Sequence, residues 1–330
     1  MSCVRLFSAA RLGALALAAG LFTAPGFASE NYPTRPVQVI VPFSSGSGSD
    51  VIARLLFGRI SQNVGQQFVI DNRPAAGGIV GTRAVVAAAP DGYTILFNAS
   101  GPIAINKALM KNLPYDPERD LAPISKVAEL PNVFVVNTRV PARTVREFVE
   151  FAKKQSNPLV YSSIGNGSSS HLAAAHFGAS TGIELTHAPY KAMSQLVSDL
   201  ISGEVPVTFT VFSNANAALQ SGQVRALAVA APARLPVLPE VPTLTEAGFP
   251  GLETSAWFAV LGPRETPQSV VDFLNRAIAT ALADPALRAK LDELGARADR
   301  SSPDGLRTAI SVEIEKWRKV SEQTGIKIDP

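Results

Sequence analysis

Two runs of small polar residues stand out as places where a ligand could be held. The first is Pro42-Phe43-Ser44-Ser45-Gly46-Ser47-Gly48-Ser49-Asp50. The second is Ser162-Ser163-Ile164-Gly165-Asn166-Gly167-Ser168-Ser169-Ser170-His171. Each follows a short apolar stretch and precedes a helical pattern. The first turn of a helix leaves N–H groups without partners and carries a partial positive charge, so such a turn suits an anion. Glycine lets a ligand approach the backbone closely. The competing reading is a plain glycine-serine turn capping a helix; its recurrence in two separate parts of the chain favours a site. Neither run holds a nucleotide. A P-loop would end in Gly-Lys-Ser/Thr, and Val51 and Ser170 stand where a dinucleotide fingerprint needs its third glycine. A carboxylate is therefore expected rather than a phosphate.

Other chemistry has little support. The nucleophile elbow Gly-x-Ser-x-Gly is absent. The histidines are His171, His176 and His187, and the first two are five residues apart, off a shared helical face. No spacing of His, Cys and carboxylates resembles a metal site, and no cofactor is expected. Each histidine is expected to be a structural hydrogen-bonder. Asp71, Asp91, Asp116 and Asp120 sit in turn-forming contexts. A secreted serine hydrolase is accordingly the weakest of the functional readings.

The chain has 330 residues, 46% hydrophobic and 17% charged, which is enough for two domains and argues against disorder. Thirty basic residues against 27 acidic give a net charge of +3. Arg5 and Arg11 precede an apolar core at 12–22, and Gly26 and Ala28 stand at the −3 and −1 positions of a cut before Ser29. That is the layout of a secretory signal peptide over residues 1–28. The apolar core falls short of the roughly 20 residues of a membrane span. Removing the leader leaves 28 basic residues against 27 acidic. So thin a margin lacks the basic footprint that nucleic acid requires. Cys3, the single cysteine, precedes the apolar core, so neither a lipid anchor nor a disulfide is expected. An exported, soluble protein follows, periplasmic in a Gram-negative cell.

The elements that must position the two runs alternate between strand and helix. Strands are expected at Val37–Val41, Phe68–Ile70, Tyr93–Phe97, Val133–Val136, Leu159–Ser162 and near 207–211 and 226–230. Helical spacing covers 50–64, Ile79–Ala88, Thr144–Lys154 and about Ser169–Ser180. The C-terminal part reads as helical, with a stripe at Val270, Leu274, Ile278 and Leu282. Ser302-Pro303-Asp304 opens a last helix that continues through Leu306, Ile310, Ile314 and Trp317 and stops at Gly325. Such alternation predicts two α/β lobes of parallel sheet covered on both faces, with Pro232–Pro242 as the crossover. The two glycine-serine runs, at the carboxyl ends of strands, would then face each other across a cleft.

The order of motifs resembles the Bug-type, TctC-like substrate-binding proteins of tripartite tricarboxylate transporters. The resemblant stretches begin with Tyr32-Pro33-Thr34-Arg35-Pro36, Pro42-Phe43 and the first run ending in Asp50. Gly65-Gln66, Asn72-Arg73-Pro74, Gly77-Gly78, Pro90-Asp91-Gly92-Tyr93-Thr94 and Leu113-Pro114-Tyr115-Asp116-Pro117 follow. Ser163-x-Gly165-x-Gly167-Ser168 with His171-Leu172 comes next, then His187-x-Pro189-Tyr190-Lys191. Leu238-Pro239-Glu240-Val241-Pro242-Thr243, Glu246-Ala247-Gly248 and Trp257 close the series.

The resemblance implies a two-lobed periplasmic-binding-protein fold, type II-like, each lobe a mostly parallel sheet flanked by helices. Residues 29–128 plus 231–330 would form lobe 1 and 129–230 lobe 2. It implies a monomeric receptor for a small organic carboxylate, delivered to the integral-membrane subunits of a tripartite permease. The alternative is a ligand-loaded signalling partner of a sensor protein. Expected ligand contacts are Phe43, Ser44, Gly46, Ser47, Gly48 and Ser49 from the first run. From the second they are Ser163, Gly165, Gly167, Ser168 and Ser169. Asp50, His171, Tyr190, Lys191 and Thr210 are expected behind or beside them, Asp50 as a cap of its own loop.

Against the pattern usual in relatives, Ser45 and Ser47 replace a proline and a glycine. Ala192 replaces a glycine, and Thr210 stands where aspartate is frequent. An acceptor for a ligand ammonium is thereby missing, so dicarboxylates or other non-amino carboxylates are expected over amino acids.

Overall fold

The computed structural model describes residues 32–328, and the expected leader lies outside the described residues. The first half runs β1 (Val37–Val41), α1 (Gly48–Val64), β2 (Phe68–Asn72), α2 (Ile79–Val86), β3 (Thr94–Ala99), α3 (Asn106–Leu109) and α4 (Pro117–Asp120). A long strand β4 (Leu121–Asn137) then leads to α5 (Val145–Lys153), β5 (Leu159–Ser163), α6 (Ser169–Thr181) and β6 (Leu185–Pro189). They are followed by α7 (Met193–Ser202), β7 (Val207–Val211), α8 (Phe212–Gln220) and β8 (Val224–Val229). The chain ends with β9 (Ser255–Pro263), α9 (Gln268–Leu282), α10 (Pro285–Glu293), β10 (Arg297–Ala298) and α11 (Pro303–Thr324).

The strands form two sheets joined through β4. In the first lobe the order is β2-β1-β3-β9-β4, and in the second β6-β5-β7-β4-β8. β1 pairs parallel with β2 and β3, and β5 pairs parallel with β6 and β7. One antiparallel strand is inserted in each sheet: β9 between β3 and β4, and the far half of β4 between β7 and β8. The sheets are thus mixed, not wholly parallel, and the C-terminal part is not wholly helical. The missed strand, SAWFAVLGP, is buried along nearly its whole length. An apolar run covered on both faces has no alternation to betray it.

Side-chain alternation sends each strand's residues into different cores. Val37, Val39 and Val41 pack with Leu56 and Phe57 of α1, whereas Ile40 joins Val85, Leu306 and Ile310 on the opposite face. In the second lobe Phe134 and Val136 pack with Phe148, Phe177 and Phe209, and Val133 and Val135 with Leu200 and Phe212. Ser302 caps α11 by accepting the Gly305 N–H at 3.0 Å, and Gly325 ends it in the left-handed conformation.

Three chain segments meet at one level where β4 leaves the first lobe and the chain later returns to it. Asn132 N–H donates to Thr254 O (3.0 Å), Thr254 N–H to Ala230 O (2.9 Å), and Ala230 N–H to Asn132 O (2.8 Å). The proline-rich stretch is not itself the crossover: Leu235, Val237, Leu238 and Val241 pack on Val133, Val135 and Phe212. Its leucines and valines belong to the second lobe's core, and the chain returns only at Thr254.

Candidate functional site

The first glycine-serine run joins β1 to α1. Ser47 is the N-cap of α1, its Oγ accepting the Asp50 N–H at 3.3 Å. Asp50, at the third helical position, reaches back so that its Oδ2 accepts the Gly46 N–H at 2.8 Å. This is the reciprocal logic of a capping box, moved one residue outward. Gly46 meets it at a φ of +78°, where a side chain would be strained. Burial would raise the Asp50 carboxyl, but Arg54, the Gly46 N–H and the Asn72 amide together hold it below the usual carboxylate range. Its charge therefore faces its own loop and Arg54.

The second run repeats this arrangement between β5 and α6. Ser168 caps α6 by accepting the His171 N–H at 3.2 Å, and His171 Nδ1 accepts the Gly167 N–H at 3.1 Å. His171 thus occupies the position of Asp50, with an imidazole where the first loop has a carboxylate. Ser170 Oγ accepts the Ile164 N–H (3.2 Å), and Ser163 Oγ accepts the Gly165 N–H (3.1 Å). Under the loop, His171 and His187 stack with centroids 4.0 Å apart and planes 9° apart. Desolvation lowers both imidazoles to a pKa of about 4, His187 adding to the effect on His171. Both are neutral at pH 7.

Once these internal bonds are drawn, few donors remain. The N–H groups of Gly48 and Ser49 in α1, and of Ser169 and Ser170 in α6, have no partner among the described residues. They belong to the first two residues of their helices, where the dipole's positive end lies. Between them is a cavity of about 460 Å³. Phe43–Ser49 form one wall and Ile164 with Asn166–Ser170 the other, while Tyr190, Lys191 and Thr210 lie at the side.

Of the residues expected from the sequence, Asp50, Ser163, Gly165 and His171 do not reach this wall. They shape the loops instead. Tyr190 lines the cavity, but its hydroxyl donates to Asp199 at 2.7 Å; burial, then Asp199, pushes its pKa up to about 12. Thr210 Oγ1 accepts from Asn214 Nδ2 at 3.0 Å. Lys191 is exposed, and among the described residues no Asp or Glu lines the cavity.

Sequence reasoning missed Gly77, Ser100–Pro102, Asn132 and Asn214, which also line it. The turn after β3 could have been found, because it is a third strand end on the same edge as the other two. Asn132 announces itself only as a polar residue inside an apolar run. Leu130, Ala256 and Phe258, from the crossing strands, make the floor apolar.

The lobes touch across this cleft. A β-carbon at Gly101 would lie 3.1 Å from Gly167 O, and one at Gly77 3.4 Å from Asn166 O. One at Gly167 would collide with Asn106 Oδ1. Glycine at these points permits the approach.

Ser163 Oγ lies 2.7 Å from His187 Nε2, a contact that looks like a nucleophile and its base. Ser163 is fully buried and off the cavity wall, and no carboxylate hydrogen-bonds His187 among the described residues. The pair holds the loop. Among the described residues no cluster of three His, Cys, Asp or Glu could hold a metal ion, and no helix is long and apolar enough to cross a membrane.

The family model of the tripartite tricarboxylate transporter family receptor matches residues 52–326. Protein BugT of Bordetella pertussis is 35% identical over 301 residues, covering 91% of this chain and 92% of its own length. The R. palustris protein Rpa4515, solved with adipate, is 36% identical with a TM-score of 0.85, covering 90% of this chain and 99% of the other. MatC (Rpa3494) of Rhodopseudomonas palustris, solved with malate, is 32% identical with a TM-score of 0.81, covering 88% and 99%.

Proposed function

The chain belongs to the tripartite tricarboxylate transporter receptor family, and from that premise we propose that it holds one carboxylate of a small organic acid between its two helix N-termini. It is a solute receptor and not an enzyme, as its family and structural relatives are. The observation that supports the reading is the pairing of the four unpartnered amides of Gly48, Ser49, Ser169 and Ser170 on opposite walls of one cavity. Charge-assisted hydrogen bonds to a carboxylate are worth about 1.5–3 kcal/mol each, so a few reach micromolar affinity, near −8 kcal/mol, without a salt-bridging arginine. Hydroxyls of Ser44, Ser47, Ser49, Ser168 and Ser169 stand beside these amides, and Phe43 packs along the ligand's carbon chain. Gly46 and Gly167 keep the loops open to it.

The similar proteins solved with adipate and malate support a dicarboxylate. With no Asp or Glu on the wall, and Thr210 there instead, a ligand ammonium finds no counter-charge. Amino acids are therefore disfavoured. The loaded receptor delivers its ligand to the membrane subunits of a tripartite permease from the periplasm, which it reaches as a monomer after loss of residues 1–28.

Calorimetry with malate, adipate, aspartate and glutamate tests the reading. Gly48→Pro and Ser169→Pro each delete one helix-start N–H at the position where proline is best tolerated. Each variant is expected to weaken dicarboxylate binding at least about tenfold, by loss of one charge-assisted bond, with little change in melting temperature. Unchanged affinity in both, or tight aspartate binding with none of malate or adipate, would overturn it.

A further inference from the structure

The two loops are built alike but closed by different chemistry. In each, a serine caps the helix, a residue three positions on reaches back, and a left-handed glycine before the cap donates its N–H to it. The pairs are Ser47 with Asp50 and Gly46 (φ +78°), and Ser168 with His171 and Gly167 (φ +73°). In the first loop Arg54, 2.9 Å away, balances the acceptor's charge. In the second no ion pair reaches the acceptor among the described residues. We propose that His171 is the positioning residue of the second loop, its Nδ1 holding the Gly167 N–H as an acceptor, with the stacked His187 keeping that ring in place. The proposal rests on the reading that this loop helps hold a carboxylate.

Burial, then the neighbouring His187, disfavours the imidazolium form of His171. His187 of β6 stacks on it at 4.0 Å, and Tyr161 of β5 lies beyond at 6.4 Å, its own hydroxyl pushed up by burial. Ser163 of β5 bonds the far ring through His187 Nε2, and Asn106 of α3 stands against Gly167 from the other lobe. None of these is a carboxylate that would welcome an imidazolium. A proton on Nδ1 would point at the Gly167 N–H, donor against donor, and Gly167 would leave the position in which its carbonyl meets Gly101. An acidic side chain at 171 would keep the bond but set a negative charge beside the ligand without an Arg54 to balance it. Neutral imidazole supplies the acceptor without that repulsion.

The test uses the full protein in solution. Long-range nitrogen–proton NMR of its three histidines at pH 7 is expected to find His171 as the Nε2–H tautomer. His171→Leu removes the acceptor, and His171→Asn restores a neutral one. In the Leu variant the Gly167 amide is expected to exchange with solvent at least about tenfold faster and adipate to bind at least about tenfold more weakly. The Asn variant is expected to return both to within about threefold of the parent, as rescue of one hydrogen bond requires. Toward pH 4 the parent's affinity for adipate should fall further than that of the Asn variant, protonation of adipate itself being common to both. An Nδ1–H tautomer in the parent, or a Leu variant with parental Gly167 exchange, overturns the proposal. Should adipate fail to bind the parent, the carboxylate reading loses its support, while the tautomer and the exchange rate still decide the role of His171. The tautomer is read on the parent and decides the proposal even if a variant fails to fold.

Discussion

Ser168 illustrates how much one side chain does at this site: it caps α6 through the His171 N–H and donates to Gly165 O at 2.7 Å. Ser168→Ala is expected to lower stability by about 1 kcal/mol, the usual worth of an N-cap, measured by urea unfolding. The buried histidines make stability depend on pH. His171 and His187 have pKa values of about 4 in the fold, below the 6.5 of a free imidazole. The unfolded chain therefore binds their protons first, so stability is full above pH 6.5 and falls as pH drops toward 4. By pH 5 the loss should be on the order of 1–2 kcal/mol for His171, seen as a falling melting temperature. At this scale the sequence located both loops but could not sort their residues. Ser163, Gly165 and Ser169 are equally small and polar on paper. Only the folded turn shows that the first two are spent on the loop while Ser169 keeps its N–H free.

Among the elements, β4 is the one on which both cores depend. Phe134 stacks on Phe209 at 4.5 Å and meets Phe148 edge-on at 4.9 Å. Phe134→Ala is expected to destabilise the protein by about 3–5 kcal/mol, checked by thermal unfolding. The helices with caps and the strands followed by turns were readable, because serine, proline and glycine mark their ends chemically. α1, α6 and α11 begin and end within a few residues of where spacing puts them. The length of β4 and the existence of β9 were not readable. Nothing local in Leu121–Asn137 says that one strand serves two sheets, since its pairing partners lie in distant parts of the chain.

At the scale of the molecule, the two lobes meet through glycine. Gly101→Ala would place a β-carbon 3.1 Å from Gly167 O only when the lobes are together. The variant should fold with an unchanged melting temperature without ligand, yet bind adipate more weakly and show a larger radius of gyration in solution scattering. Saturating ligand should raise the parent's stability by about 2.7 kcal/mol at a hundred times Kd, a gain smaller in the variant.

The trading of strands between the sheets also governs how the polypeptide can be divided. A gene fragment stopping at Asp120 would encode β1, β2 and β3 but not the rung that β9 supplies beside β3. A fragment starting after Asn137 would leave β7 and β8 with a gap between them. Each piece would present a bare ladder of amides and carbonyls to its copies, an invitation to clump. Grafting one half onto a cousin therefore demands that its borrowed rung travel with it.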